Sequence, residues 1–268
     1  MNIDPIAFTI GPFSVRWYGL LIASALLIGV FLASREAEKQ KIDLDQFLNI
    51  ILVAVPCAII GARFYYVVLR WEYYGAHPIE SFKIWEGGLA IHGAVITGLM
   101  VGYAIARYYR LSFLQLTDIV APSLILGQAI GRWGNFFNQE AYGYPTDLPW
   151  AMYIAGEYRH PTFLYEFIWN LGIFGLLMWL RRSTKIRTGD IFLTYIAGYS
   201  IGRFFIEGFR TDSLMFGPYR AAQLVSIAAV IGVLFYRFYW VRRNKNLTAP
   251  DLNNGTETDG TPPTLHAT

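Results

Sequence analysis

WYGLLIASALLIGVFLAS, residues 17–34, lies between Arg16 and Arg35 without a single charged side chain. A helix needs about 20 predominantly apolar residues to cross the hydrocarbon core of a bilayer. Three further uncharged runs follow, 46–62 between Asp45 and Arg63, 87–106 between Glu86 and Arg107, and 221–236 between Arg220 and Arg237. The whole composition agrees with them. Of 268 residues 54% are hydrophobic and 17% aromatic, only 15% are charged, and the mean hydropathy is +0.35. A soluble domain carries about 25% charged residues. Disorder, a collagen-like chain and an ordinary water-soluble enzyme are therefore excluded, and the chain reads as a polytopic membrane protein.

Three interrupted apolar runs complete the set: 111–131 with Asp118, 161–180 with Glu166, and 191–209 with Arg203 and Glu207. The predicted architecture is all-α, with seven transmembrane helices at about 17–34, 47–69, 88–106, 115–132, 162–180, 190–208 and 221–241. An odd number of spans puts the termini on opposite sides. With the C-terminus cytoplasmic, the inner side receives Arg35, Lys39, Lys41, Arg107, Arg110, Arg181, Arg182, Lys185, Arg187, Arg237, Arg242, Arg243 and Lys245, which is 13 of the 22 Lys and Arg. The positive-inside rule thus gives an extracytoplasmic N-terminus and a cytoplasmic C-terminus. Residues 1–15 contain Asp4 and no Lys or Arg before Val15, unlike the basic start of a cleavable signal, so the first span is expected to stay in the mature protein. The segment 244–268, rich in Asn, Thr, Gly and Pro, is expected to be a disordered cytoplasmic tail behind a membrane domain spanning 1–243. The single cysteine, Cys57, excludes an intrachain disulfide and reads as a small core residue.

Ionisable residues inside a span cost roughly 2.5–3.5 kcal/mol at the helix centre on insertion scales, and so mark function by default. With this orientation Arg63, His92, Arg132, Glu166, Arg203 and Glu207 all fall in the outer half of the membrane. They predict one polar cavity at the outer leaflet. A guanidinium grips phosphate oxygens with two parallel N–H donors, so three arginines near a headgroup plane suit an anionic lipid. The competing reading is that they snorkel to the interface and pair with nearby glutamates. Tyr199, Arg203 and Glu207 recur at i, i+4 and i+8 and share one helix face, so Glu207 can orient Arg203 while Tyr199 lines the same wall. Asp118 alone lies on the cytoplasmic side, where it is expected either to pair with Arg107 and Arg110 or to serve chemistry.

The densest polar stretch at a predicted membrane boundary is Gly131-Arg132-Trp133-Gly134-Asn135-Phe136-Phe137-Asn138-Gln139-Glu140-Ala141-Tyr142-Gly143. Its glycines suit tight turns and close approach to a ligand. Asn135, Asn138 and Glu140 can hydrogen-bond glycerol hydroxyls or hold Arg132. Gly127 and Gly131 form a small-xxx-small pair suited to helix packing. The stretch lacks the spacing and the preceding strand of a dinucleotide-binding fingerprint.

Three shorter stretches accompany it: Trp85-Glu86-Gly87-Gly88-Leu89-Ala90-Ile91-His92-Gly93-Ala94, His160-Pro161-Thr162-Phe163-Leu164-Tyr165-Glu166, and Tyr199-Ser200-Ile201-Gly202-Arg203-Phe204-Phe205-Ile206-Glu207-Gly208-Phe209-Arg210. With Trp17-Tyr18-Gly19 near the start, the sequence resembles the bacterial prolipoprotein diacylglyceryl transferases from about Pro5 to Arg243. The resemblance implies an inner-membrane enzyme that moves the diacylglyceryl group of phosphatidylglycerol to the lipobox cysteine thiol of a preprolipoprotein, releasing glycerol 1-phosphate. It implies phosphate-binding roles for Arg132 and Arg203, and importance for Tyr18, His92, Asn135, Glu140, Gly143 and Glu207. Arg63, Asn138, Glu166, Tyr199 and Arg210 join these as substrate-binding candidates. It also implies a small extracytoplasmic head at 135–160. One departure is Ala94, where the family often has glycine.

A thiol with a pKa of about 8.5 is only a few per cent thiolate at neutral pH, so transfer benefits from a base. His92 is the candidate to accept that proton. The phosphate leaving group gains charge in the transition state, which Arg132 and Arg203 would stabilise. His77, His92, His160 and His266 show no metal-ligand spacing. No cofactor is expected, and the partners expected are phosphatidylglycerol, the lipobox peptide and membrane lipids, with no nucleic acid. The same residues bear on two other classes. A transporter or flippase of anionic lipids or phosphorylated solutes predicts charges through both halves of the membrane. An intramembrane protease needs paired aspartates, a Ser/His arrangement or a metal motif.

Overall fold

The computed structural model describes residues 4–11, 13–154 and 156–247. The chain enters through a hairpin, β1 (Ile6–Ile10) antiparallel to β2 (Phe13–Arg16), turning at Gly11 with φ +58°. Helices α1 (Trp17–Lys39) and α2 (Leu44–Leu69) follow, the second capped by Asp43, whose side chain accepts from Gln46 N at 2.8 Å. After a short α3 (Trp71–Tyr74) and two 3₁₀ turns at Pro78–Phe82 and Ile84–Glu86 come α4 (Ile91–Tyr108) and α5 (Phe113–Asn138). A second hairpin, β3 (Met152–Ile154) with β4 (Glu157–Arg159), leads to α6 (Thr162–Leu180) and α7 (Asp190–Glu207). A third, β5 (Met215–Phe216) with β6 (Tyr219–Arg220), leads to α8 (Ala221–Leu247).

The protein is thus mostly helical, as expected for an all-α membrane protein, with three small hairpins added. Among the described residues five helices are long and apolar enough to cross a membrane: α1, α2, α5, α6 and α8 over Ala221–Tyr239. Helices α4 and α7, 18 residues each, also carry His92 and Arg107, and Asp190, Arg203 and Glu207. Large apolar side chains on the outside, such as Leu27, Leu52, Ile60 and Phe235, are exposed, which suits lipid as the solvent. The polar tail expected from Asn244 starts later, because α8 runs on through Leu247; from residue 248 on it lies outside the described residues.

Between apolar helices in lipid, close backbone approach replaces the hydrophobic drive, so small residues sit at the contacts. Helix α1 meets α5 where Ser123 Oγ donates to the Gly29 carbonyl at 2.8 Å. Helix α2 meets α4 at Gly61, Gly93 and Thr97; a side chain at either glycine would collide across the interface. On α7, Gly198 and Gly202 admit Ile173 and the Trp169 indole of α6, and Trp169 Nε1 donates to the Gly198 carbonyl at 2.9 Å.

Two expectations are corrected here. Helix α5 continues through the Gly131–Asn138 stretch, so Gly131 and Gly134 are packing positions and not turns. A Cβ at Gly134 would run into the Tyr18 ring, and Trp17 stacks on Phe137 one turn later with ring centroids 5.0 Å apart. Asp118 pairs with neither Arg107 nor Arg110. Its carboxylate accepts the backbone N–H groups of Gly189 and, at 2.8 Å, Phe192, satisfying donors that the first turn of α7 otherwise leaves open.

Candidate active site

Arg132, six residues before the end of α5, Glu166, on the first turns of α6, and Arg203, one turn before the end of α7, converge at one end of the bundle. Glu166 is the hub. Its Oε2 lies 2.7 Å from Arg132 Nη2, and its Oε1 2.8 Å from Arg203 Nη1 and 3.4 Å from Arg210 Nη1. Arg203 Nη2 reaches Glu207 Oε2 at 2.7 Å, the i, i+4 pair expected from spacing. Arg210 extends the network outward, donating from Nε and Nη2 to the two carboxylate oxygens of Asp212 at 3.0 and 2.8 Å. Burial works against the charge on Arg210, but Asp212, Glu166 and Glu207 outweigh it and raise its pKa, so it stays a cation.

Charge and exposure decide what this group can do. The carboxylates are sealed, with 4% of the Glu166 and 2% of the Glu207 side chain exposed, whereas Arg132 and Arg203 keep about a fifth, 19% and 20%. Arg132, Arg203 and Arg210 carry three positive charges against the two of Glu166 and Glu207. Asp212 takes up the charge of Arg210, so what the cluster offers is the partly open guanidinium faces of Arg132 and Arg203 at the end of three helices. Guanidinium forks so placed make a candidate anion site, of the kind that suits a phosphodiester.

Chain geometry beyond α5 assembles it. Gln139 and Ala141 adopt left-handed φ of +52° and +57°, ending the helix and swinging the chain back. Arg132 Nη1 donates to Asn135 Oδ1 at 3.4 Å, and Asn135 and Asn138 both donate to Glu140 Oε1, at 3.0 and 3.2 Å. Gly143 N donates to the His160 carbonyl at 3.0 Å and Tyr144 N to the Phe209 carbonyl at 2.9 Å, which laces this segment to the start of α6 and the end of α7. A Cβ at Gly143 would stand 2.6 Å from His160 Cβ and 2.8 Å from the Phe209 carbonyl oxygen, so the position requires glycine for closeness. A cavity beside the segment is lined by Asn135, Phe136, Gln139, Glu140, Tyr153 and Phe163.

Of the residues singled out in the sequence, Arg132, Asn135, Asn138, Glu140, Gly143, Glu166, Arg203, Glu207 and Arg210 are therefore brought together or laced to the cluster. Tyr199 stacks on Tyr195 on the same helix as Arg203. Tyr18 packs on Gly134 and remains half-exposed. Arg63 is not part of the group. It is buried under the α2–α4 connection and donates to the carbonyls of Glu80, Ser81, Gly87 and Gly88 at 2.6 to 3.1 Å, beside the Tyr66 and Tyr74 rings. Its donors organise a loop. His92 does not join the group either: it is exposed at the start of α4, its ring 6.2 Å from that of Tyr65, and its side chain has no hydrogen bond to another described residue. Two participants escaped the sequence reading: Asp212, and Arg220, which donates to the Glu207 backbone carbonyl and to Tyr144 Oη. Both follow α7 in polar sequence, where a charge attracts no notice.

Residues 5–239 match the family model described as prolipoprotein diacylglyceryl transferase. The chain belongs to this family. Its curated relatives named phosphatidylglycerol–prolipoprotein diacylglyceryl transferase include that of Geobacillus kaustophilus, 50% identical over 256 residues, covering 91% of this chain and 94% of the relative. That of Halalkalibacterium halodurans is 48% identical, covering 91% and 88%, and that of a Synechocystis species 50% identical, covering 85% and 86%. With five helices fit to cross a membrane, this member of a bacterial transferase family is a bacterial membrane protein. Within the diacylglyceryl transferase frame the Arg132–Glu166–Arg203 cluster is the candidate active site.

Proposed function

We propose that this chain transfers the diacylglyceryl group of phosphatidylglycerol to the lipobox cysteine thiol of preprolipoproteins. The names of its relatives support the substrates. The observation that carries the reading is the cluster itself, three guanidiniums around two sealed carboxylates, with the Arg132 and Arg203 side chains still partly open. In the reaction the thiolate sulfur attacks the glycerol carbon that bears the phosphate. An S–C bond forms, the C–O bond breaks, and its electron pair leaves on the phosphate oxygen of glycerol 1-phosphate. Arg132 and Arg203 bind the phosphate and stabilise the charge it gains, while Glu207 and Arg210 hold Arg203 and Glu166 in place. Asn135, Asn138 and Glu140, adjoining Arg132, meet the headgroup glycerol, with Tyr18 across from Gly134, Tyr199 along the wall below Arg203, and Gly143 keeping the segment close. His92, uncommitted to any described hydrogen-bond partner, takes the thiol proton.

All seven helices of 18 residues or more cross the inner membrane in this reading, with the N-terminus and a head at 135–160 extracytoplasmic and the C-terminus cytoplasmic. The α6–α7 connection supports it: Arg181, Arg182, Lys185 and Arg187 stand at the end opposite the cluster, where basic residues mark the cytoplasm. The catalytic domain runs to the end of α8 at Leu247, and the polar tail follows it. The test is the purified protein in phosphatidylglycerol vesicles with a lipobox cysteine peptide. Glycerol phosphate release with a thioether-lipidated peptide is the expected result. Neither product, with labelled lipid crossing leaflets, would establish a flippase instead.

A further inference from the structure

Directly beneath the ionic cluster lies a second polar layer. Gln128, Asn170 and Tyr199 each stand four residues from a member of the cluster, Arg132, Glu166 and Arg203 respectively. On α5, α6 and α7 alike that places them on nearly the same face, about 6 Å further along the axis. The direction is inward on all three helices, because the cluster occupies the C-terminal ends of α5 and α7 and the N-terminal end of α6.

Asn170 is 2% exposed, yet its Nδ2 has no hydrogen-bond partner among the described residues. Gln128 donates from Nε2 to Tyr195 Oη at 2.9 Å, which leaves its buried Oε1 without one. An amide atom left unpaired in hydrocarbon is costly, and stability offers no reason for two of them at one depth.

Resting on the transferase reading, we propose that this layer holds the ester groups of the lipid substrate, Asn170 donating to one ester carbonyl and Gln128 to the other. With the phosphate at Arg132 and Arg203, the ester groups lie on its acyl-chain side, deeper in the membrane. Carbonyl oxygens only accept, and Asn170 Nδ2 is a donor. Gln128 supplies a donor too. The Tyr195 hydroxyl donates as well as accepts, so a half-turn of the Gln128 amide gives Oε1 to Tyr195 and frees Nε2 for the ligand. The carbon under attack lies between phosphate and esters, so gripping the lipid on both sides fixes it for displacement.

The test compares phosphatidylglycerol with its dialkyl ether analogue, which keeps the phosphate and both glycerols but has no carbonyls. Each lipid is presented in mixed micelles with a lipobox cysteine peptide to the wild-type protein, Asn170→Leu and Gln128→Leu. The wild type is expected to show kcat/KM about tenfold lower on the ether lipid, the effect of losing hydrogen bonds to buried partners. Asn170→Leu should lose several-fold on the ester lipid and little on the ether lipid, so that the preference shrinks, and Gln128→Leu should act the same way. Equal use of both lipids by the wild type would overturn the proposal whatever the variants do. So would an equal loss on both lipids in Asn170→Leu, the pattern of an ordered water or a purely structural amide. Equal wild-type activity leaves the transferase reading standing, whereas no product from either lipid would overturn both.

Discussion

Glu166 is ion-paired to Arg203 across the α6–α7 interface at 2.8 Å, while its other oxygen holds Arg132 of α5 at 2.7 Å. One sealed carboxylate therefore joins three helices and keeps their cations from repelling one another. Glu166→Gln retains the shape and removes the charge. The variant should lose about 2–4 kcal/mol of stability, as when one member of a partly buried ion network is deleted. Its kcat/KM should fall at least about 100-fold, because the arginines no longer share an anchor. Thermal unfolding in detergent and glycerol phosphate release measure the two. Activity within a few-fold of wild type would show that Glu166 does not position the arginines.

Arg203 spreads its guanidinium between Glu166 and Glu207 and still keeps a fifth of its side chain open. A lysine ammonium is a single point that cannot meet two carboxylates and a phosphate in a planar fork. Arg203→Lys should therefore lower kcat by about 100-fold or more, and Arg203→Ala should abolish release with the helices intact by circular dichroism. If Arg203→Lys supported near-normal turnover, charge alone would suffice and the fork geometry would be irrelevant.

These partners were unevenly legible. The Arg203–Glu207 pair follows from helical spacing, and the long helices from uncharged runs, with four of the seven starting where the sequence places them, at 17, 162, 190 and 221. Placing Arg132, Glu166 and Arg203 at one level of the bundle anticipates their contact, because charges at one level on packed helices seek each other. The same reasoning fails for Arg63 and Asp118, whose partners are backbone groups: loop carbonyls for one, the N–H groups of a helix start for the other. Backbone groups leave no mark in residue type. The Gly131–Asn138 stretch misleads because glycine and asparagine signal turns in water, whereas between lipid-facing helices glycine gives close contact. The hairpins, of two to five residues per strand, are too short for period-2 alternation to register.

Gly134 tests that packing directly. Its missing Cβ is the space the Tyr18 ring occupies, next to the Trp17–Phe137 stack. Gly134→Ala should push α1 from the end of α5 and cost about 1–3 kcal/mol, the range for overpacking a tight contact. Adding Tyr18→Ala should recover most of the lost thermal stability without restoring activity if Tyr18 also meets substrate. A stability loss unchanged in the double variant would mean that the clash lies elsewhere.

Asp118 gives the opposite pattern, stability without chemistry. Its carboxylate caps the start of α7 from α5, whereas Arg203 lies 13 residues further along α7, about 20 Å away. Asp118→Ala strands two backbone N–H groups and should cost about 2 kcal/mol or more, with Asp118→Asn, which keeps one acceptor, in between. Below the unfolding temperature kcat/KM should stay within about threefold of wild type in both, since a cap at the far end leaves the arginine geometry alone. Unfolding temperatures and lipid transfer, measured on the same preparations, separate the two roles. A stable Asp118→Asn protein with transfer abolished would instead make Asp118 a participant in the chemistry.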